Sequence, residues 1–245
     1  MGANIDNVDY QQMIKVANAI ATEAASLNTT VNNAFTDMKN MRKDWYGHSY
    51  DEFAASANAY IAQLNTCFKF IVTQGPAELA AKAVSYSKGN LHVVNKTGQQ
   101  SPKNITSITL TNKGTKLRFK SSNIREDESS IKSKFANAES KCDTIKTKLN
   151  SIEWESVAGS TTKKELVQKV DTVKNILGTI KSSLSNIINT QQSTIDALEG
   201  AAEAVEAGKE ITLDIIDAAK NTASSLVSDI QEAASSTWQS LTGKD

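Results

Sequence analysis

The sequence predicts an all-α fold: elongated antiparallel helical hairpins, four-helix-bundle-like, with a small β insertion and a C-terminal helix. Chain breakers are scarce, with 2 Pro and 11 Gly in 245 residues, where average usage of roughly 5% and 7% would supply about 12 and about 17. Hydrophobic residues make up only 39% of the chain, which suits long helices with narrow apolar seams better than a thick core. Apolar residues also recur in alternating steps of four and three along four long stretches. That repeat keeps one stripe of a helix turned toward a partner helix.

The first seam runs Met13, Ala17, Ile20, Ala24, Leu27, Val31, Ala34, Met38, Met41, Trp45, with polar residues between. Asp6 or Asn7 is expected to cap it, because a short side-chain oxygen can accept an orphan amide of the first turn. Trp45-Tyr46-Gly47-His48-Ser49 breaks the pattern. Gly47 can take a positive φ and let the chain reverse, and Ser49 with Glu52 has the spacing of a capping box. The second seam is Phe53, Ala57, Tyr60, Leu64, Cys67, Ile71. A short turn between two such helices implies an antiparallel hairpin. Gly75-Pro76 is expected to kink or interrupt the second helix, which resumes from Leu79 to Tyr86.

Residues 88–124 change character. Leu91-His92-Val93-Val94, then Ile105 to Thr111, then Lys116 to Lys120 read as alternating strands, and Asn112-Lys113-Gly114 reads as a hairpin turn. A β-hairpin or three-stranded meander leaning on a helix is one reading, and a linker is the other. The third seam is Ile131, Phe135, Ala138, Cys142, Ile145, Leu149, Ile152, closed by Trp154, with a break expected at Gly159-Ser160. The fourth is Leu166, Val170, Val173, Leu177, Ile180, Leu184, Ile187. The order helix, Trp, turn, helix therefore occurs twice. A last, Ala-rich amphipathic helix is expected over 201–241, starting loosely around Gly200 and Gly208. These limits give domains of 1–87, 88–124, 125–199 and 200–245.

Charge and composition exclude several functions. Lys+Arg and Asp+Glu each number 27, and phosphate recognition needs a basic excess that is absent here. The Lys run of Lys132, Lys134, Lys141, Lys146 and Lys148 alternates with Glu139 and Asp143, as on a solvated helix face; an anionic membrane surface is the sharper alternative. Glu126-Asp127-Glu128 reads as an acidic helix start that complements the helix dipole. Two Cys and two His are too few for a disulfide scaffold or a zinc site. Cys67 and Cys142 occupy seam positions and read as packed thiols, with a disulfide left open. Phosphate loops, nucleotide turns and nucleophile elbows are all missing. The expectation is a non-enzymatic protein with no cofactor and no metal. No run of 18 apolar residues suggests a membrane span, and the N-terminus lacks the basic and apolar regions of a cleaved leader.

Trp45-Tyr46-Gly47, set between two heptad helices with Tyr50 and Phe53 on the first turns of the second, resembles the WXG family of helical-hairpin proteins exported by type VII (ESX-like) secretion systems. The resemblance covers residues 1–87. Residues 125–199 look like a degenerate second unit, with Trp154 and Ser156 where the family has Trp and Gly, and with Gly159 beyond. The resemblance implies a secreted or cell-surface protein, exported without a cleaved signal peptide. Its partners would be a secretion ATPase, a helical partner protein, or a second copy in a homo- or hetero-dimer. It implies that Trp45 and Gly47 form a secretion and turn motif, with Ile20, Leu27, Met38, Phe53, Tyr60 and Leu64 as the interaction seam. The family's Tyr-x-x-x-Asp/Glu export signal is missing after Tyr10, Tyr46, Tyr50, Tyr60 and Tyr86, so a partner supplies it or recognition differs. Two other readings come from different classes: a membrane-active protein that uses its C-terminal amphipathic helix, and an intracellular coiled-coil scaffold.

Overall fold

Asp9 starts the first helix. Its Oδ1 accepts the Gln12 amide at 2.9 Å, the spacing of an N-cap. Helix α1 then runs Tyr10–Asn40 in the computed structural model, which describes residues 9–87, 100–111, 118–152 and 157–206. The expected caps Asp6 and Asn7 lie outside the described residues. Threonines, poor helix formers, are accommodated in α1 because the hydroxyls of Thr22, Thr29, Thr30 and Thr36 bond back to carbonyls four residues earlier.

A 3₁₀ turn, Met41–Lys43, closes α1, and a two-residue strand β1, Trp45–Tyr46, follows. The returning run is α2, His48–Ala59, and α3, Ile61–Lys69. A π turn, Phe70–Gln74, and α4, Gly75–Tyr86, complete it. The interruption expected at Gly75-Pro76 is the π turn just before them. Pro76 sits in the first turn of α4, where its missing amide costs nothing. Strand β2, Arg118–Phe119, precedes α5, Ser121–Asn150, and α6, Val157–Glu206. Gly159 and Gly200 both lie within α6, so neither the break expected at Gly159 nor a loose start at Gly200 is present. Trp154, Ser156 and residues 207–245 lie outside the described residues.

The fold is all-α and bundle-like, with a single two-stranded sheet among the described residues. Every seam position named above is buried. The chain divides into two compact units. Unit 1 comprises the described residues of Met1–Asp37, Tyr60–Thr106 and Ile131–Gly178, and unit 2 those of Met38–Ala59, Ser107–Ser130 and Thr179–Asp245.

In unit 1, Tyr10 stacks on Tyr86 at 6.3 Å between centroids, which sets the start of α1 beside the end of α4. Lys146 pairs with Asp171 at 2.7 Å and Lys174 with Asp143 at 2.6 Å. Three residues up α5 match three down α6, so the two helices run antiparallel. Lys134 and Lys141 reach Asp37 and Glu23 of α1. Three lysines of the run expected to be a solvated face are thus interhelical partners, and opposite charges flanking a seam help to fix which helices pair. The acidic cluster also moves. Because α5 begins at Ser121, its first turn holds no acid, and the dipole effect fades beyond that turn. Glu128 is instead buried and pairs with Arg125 at 3.0 Å.

Residues 100–111 depart most from expectation. They form no regular secondary structure, and β2 pairs with β1 rather than with them. Ile105, Ile108 and Thr111 are buried, whereas 106, 107, 109 and 110 are exposed. The repeat is therefore three, not the two of a half-buried strand. Side-chain carboxamides from the helices take the place of a neighbouring strand. In unit 1, Asn28 donates to the Lys103 carbonyl at 3.1 Å and accepts its amide at 2.8 Å. Asn65 does the same for Ile105, at 3.1 and 2.8 Å. In unit 2, Asn58 does so for Ile108, at 2.9 and 2.8 Å.

Candidate functional site

The Trp-x-Gly turn lies in unit 2, and its local geometry follows from three residues. Gly47 has φ 120°, a region that L side chains avoid. This lets the chain leave β1 and enter α2 at once, with the Asp51 amide on the Gly47 carbonyl at 3.1 Å. The capping box expected of Ser49 does not form, because the helix starts at His48 and Ser49 already lies in its first turn. The Ser49 hydroxyl instead accepts the Trp45 indole N–H at 3.0 Å. Asp44 anchors the near side. Its carboxylate accepts from Asn123 at 3.1 Å and from the Lys120 ammonium at 3.0 Å. These hydrogen bonds, Asn123's first, hold the Asp44 carboxyl below its ordinary range.

Trp45 is fully buried. Phe53 stacks on it at 5.8 Å, and Tyr50 and Phe119 meet it edge-on at 5.5 and 6.0 Å, the geometries that aromatic quadrupoles favour. Phe119 is placed by the sheet, in which Trp45 faces Phe119 and Tyr46 faces Arg118. Arg118 lies over the Tyr46 ring at 5.1 Å and bonds the Lys43 carbonyl at 3.1 Å. Tyr50 donates its hydroxyl to the Met38 carbonyl at 3.2 Å, and burial pushes its pKa up to about 12. Thr111 closes the far side. Its amide and hydroxyl both donate to Asp51 Oδ1, at 2.5 and 2.8 Å, and its Oγ1 accepts the Gly47 amide at 3.2 Å.

The structure thus brings Trp45, Gly47 and Phe53 together. Met38 lies buried in the same unit, and Ile20, Leu27, Tyr60 and Leu64 are buried in unit 1. These six seam residues are therefore buried within the single chain. Sequence reasoning missed Asp51, Asn58, Asn65, Asn28 and Thr111. A usable signal was present, since Asp51, Asn58 and Asn65 stand seven residues apart and asparagine inside a helix is unfavourable without a partner.

Reactive chemistry is sparse. Cys67 and Cys142 are free and buried, and burial raises their pKa values to about 11 and about 12, far from the thiolate a nucleophile requires. A thiol-reactive disulfide reagent should therefore label neither cysteine of the native protein and both after denaturation. Labelling of native Cys67 or Cys142 within minutes would contradict the packing. His48 is exposed and pairs with Glu52 at 2.7 Å, one turn along α2. Among the described residues no group of His, Cys, Asp or Glu could hold a metal ion, and no helix is long and apolar enough to cross a membrane. Beside the π turn of unit 1, Asn65, Thr66, Lys69, Thr73, Gln74, Pro102 and Asn104 line an open groove of about 550 Å³.

Comparison of the chain with protein-family models, with curated proteins and with solved structures finds no match.

Proposed function

We propose that this chain is a non-enzymatic, effector-like substrate of a type VII (ESX-like) secretion system, acting outside the cell or at its surface through helix–helix interactions. The observation that supports this best is the turn itself. Trp45-Tyr46-Gly47 joins α1 to α2, with the glycine at a φ that requires glycine and the indole pinned between Phe53, Tyr50 and Phe119. The same residues carry the resemblance to the WXG hairpins. Because Trp45 is buried, the machinery would read the exposed rim of the turn, where His48 projects, or a helical partner that supplies the missing Tyr-x-x-x-Asp/Glu signal.

The test is export. Tagged full-length protein should reach the medium of a host with an intact type VII system and remain in cells that lack the system's ATPase. Equal release from both strains, with a cytosolic marker retained, sinks the proposal.

A further inference from the structure

We propose that the last turns of α6, residues 193–206, are a docking surface for a basic amphipathic helix of another protein. The surface does not depend on the secretion reading.

These residues all belong to unit 2. Ser121, the first residue of α5, donates its hydroxyl to Gln192 Oε1, so α5 begins beside that turn of α6. Helix α6 continues to Glu206, about 20 Å farther along its axis. Burial stops sooner. Leu184 and Ile188 are 0% exposed, but no residue from Asn189 to Gly200 is buried, and Leu198 is 51% exposed. The apolar pattern carries on regardless. Beyond Ile188 it steps by three and four through Gln191, Ile195, Leu198, Ala202 and Val205. A seam that is buried at its start and open at its end is the face a partner helix requires.

Charge selects the partner. After Lys181 the sequence of α6 holds neither Lys nor Arg, whereas Asp196, Glu199, Glu203 and Glu206 fall in its last turns. Glu199 and Glu206 directly follow the seam positions Leu198 and Val205, on the flank whose charges decide which helix pairs. The other flank, Thr194 and Ala201, is uncharged. A second copy laid antiparallel would set Glu against Glu, and a parallel one would set Glu against Thr or Ala. The chain's own residues 207–245 are also acid-rich, with 3 Lys and no Arg against 6 Asp and Glu. The complementary occupant is therefore a foreign helix with an apolar seam and Lys or Arg along its flanks.

The probe is a fluorescein-labelled synthetic peptide of three heptads, with Ile and Leu in its seam and Lys on both flanks. A twin carries Glu in place of every Lys. Anisotropy against the full-length protein should show the Lys peptide binding about tenfold or more tightly than its twin. Leu198→Asp should weaken that binding about tenfold or more, although it adds a negative charge. Because Leu198 is half exposed, helicity and Tm should stay at wild-type values. Glu199→Lys/Glu206→Lys should reverse the preference in favour of the Glu peptide. Equal affinity for the two peptides overturns the proposal. So does unchanged or tighter binding of the Lys peptide by Leu198→Asp, which would reduce the effect to charge attraction alone. If Leu198→Asp loses helicity, the charge-reversed variant decides, and an unreversed preference overturns the proposal. A concentration-dependent dimer of the protein alone that Glu199→Lys/Glu206→Lys tightens would overturn the foreign helix in favour of a second copy.

Discussion

Trp45→Ala should lower the unfolding free energy by about 3–5 kcal/mol, the cost of deleting a fully buried large aromatic side chain. The indole is 0% exposed and ringed by Phe53, Tyr50 and Phe119, so truncation leaves a cavity that no solvent-facing side chain can fill. The indole N–H bond to Ser49 is lost as well. Trp45→Phe separates the two contributions. It keeps most of the ring packing and removes the donor, so a smaller loss of about 1–2 kcal/mol is expected. Urea unfolding at constant slope reads both values. A loss below about 1 kcal/mol for Trp45→Ala would mean that the ring does not pin the turn. The magnitude also bears on function. Against a total stability of about 5–15 kcal/mol, Trp45→Ala removes a large share. Failure of that variant to be exported would not by itself reveal recognition. Trp45→Phe, which retains the fold, is the informative export variant.

The fold was legible where periodicity reports burial. The four seams mark residues that are all buried, because a 3.5-residue repeat can serve little except a partner helix. The turn at Gly47 was legible for a similar reason, since glycine between two seams marks a place where only glycine's φ will serve. What stayed hidden depended on polar atoms whose partners are distant in sequence. Asn58 and Asn65 look like solvated helix residues until Ile108 and Ile105 lie beside them. Residues 105–111 were misread because β-branched residues suggest strands. Ile105 and Ile108 are three apart, and strict alternation would have put them on opposite faces, so a repeat of three was the better fit. Lys134 and Lys141 likewise read as a polar face because their partners, Asp37 and Glu23, lie on a helix about a hundred residues earlier. Of the candidate site, the pinned ring and its glycine were foreseeable. The Thr111 and Phe119 contacts were not, because each partner lies 60 or more residues away in sequence.

A close approach at Gly75, within unit 1, yields the second large effect. A Cβ built on Gly75 would stand 2.4 Å from Leu166 Cδ2, 2.8 Å from its Cγ and 3.0 Å from Phe70 Cε1, all well inside van der Waals contact. Leu166 is fully buried, so its side chain has little room to swing away. Gly75→Ala should therefore destabilise by about 1–3 kcal/mol through overpacking, although alanine is the better helix former at an ordinary helical site. The sign of the effect is the test, because a stabilising Gly75→Ala would show that α4 and α6 are not so close. Leu166→Ala alone should cost about 2–5 kcal/mol through the cavity it leaves. In the double variant the new methyl enters that cavity, so the combined loss should fall below the sum of the two single losses by about 1 kcal/mol or more. Strict additivity would place the strain of Gly75→Ala elsewhere, in the π turn of Phe70–Gln74 that leads into α4. Such turns are single-turn irregularities inside helices, and here the turn ends at Gln74, immediately before the residue whose missing side chain admits Leu166.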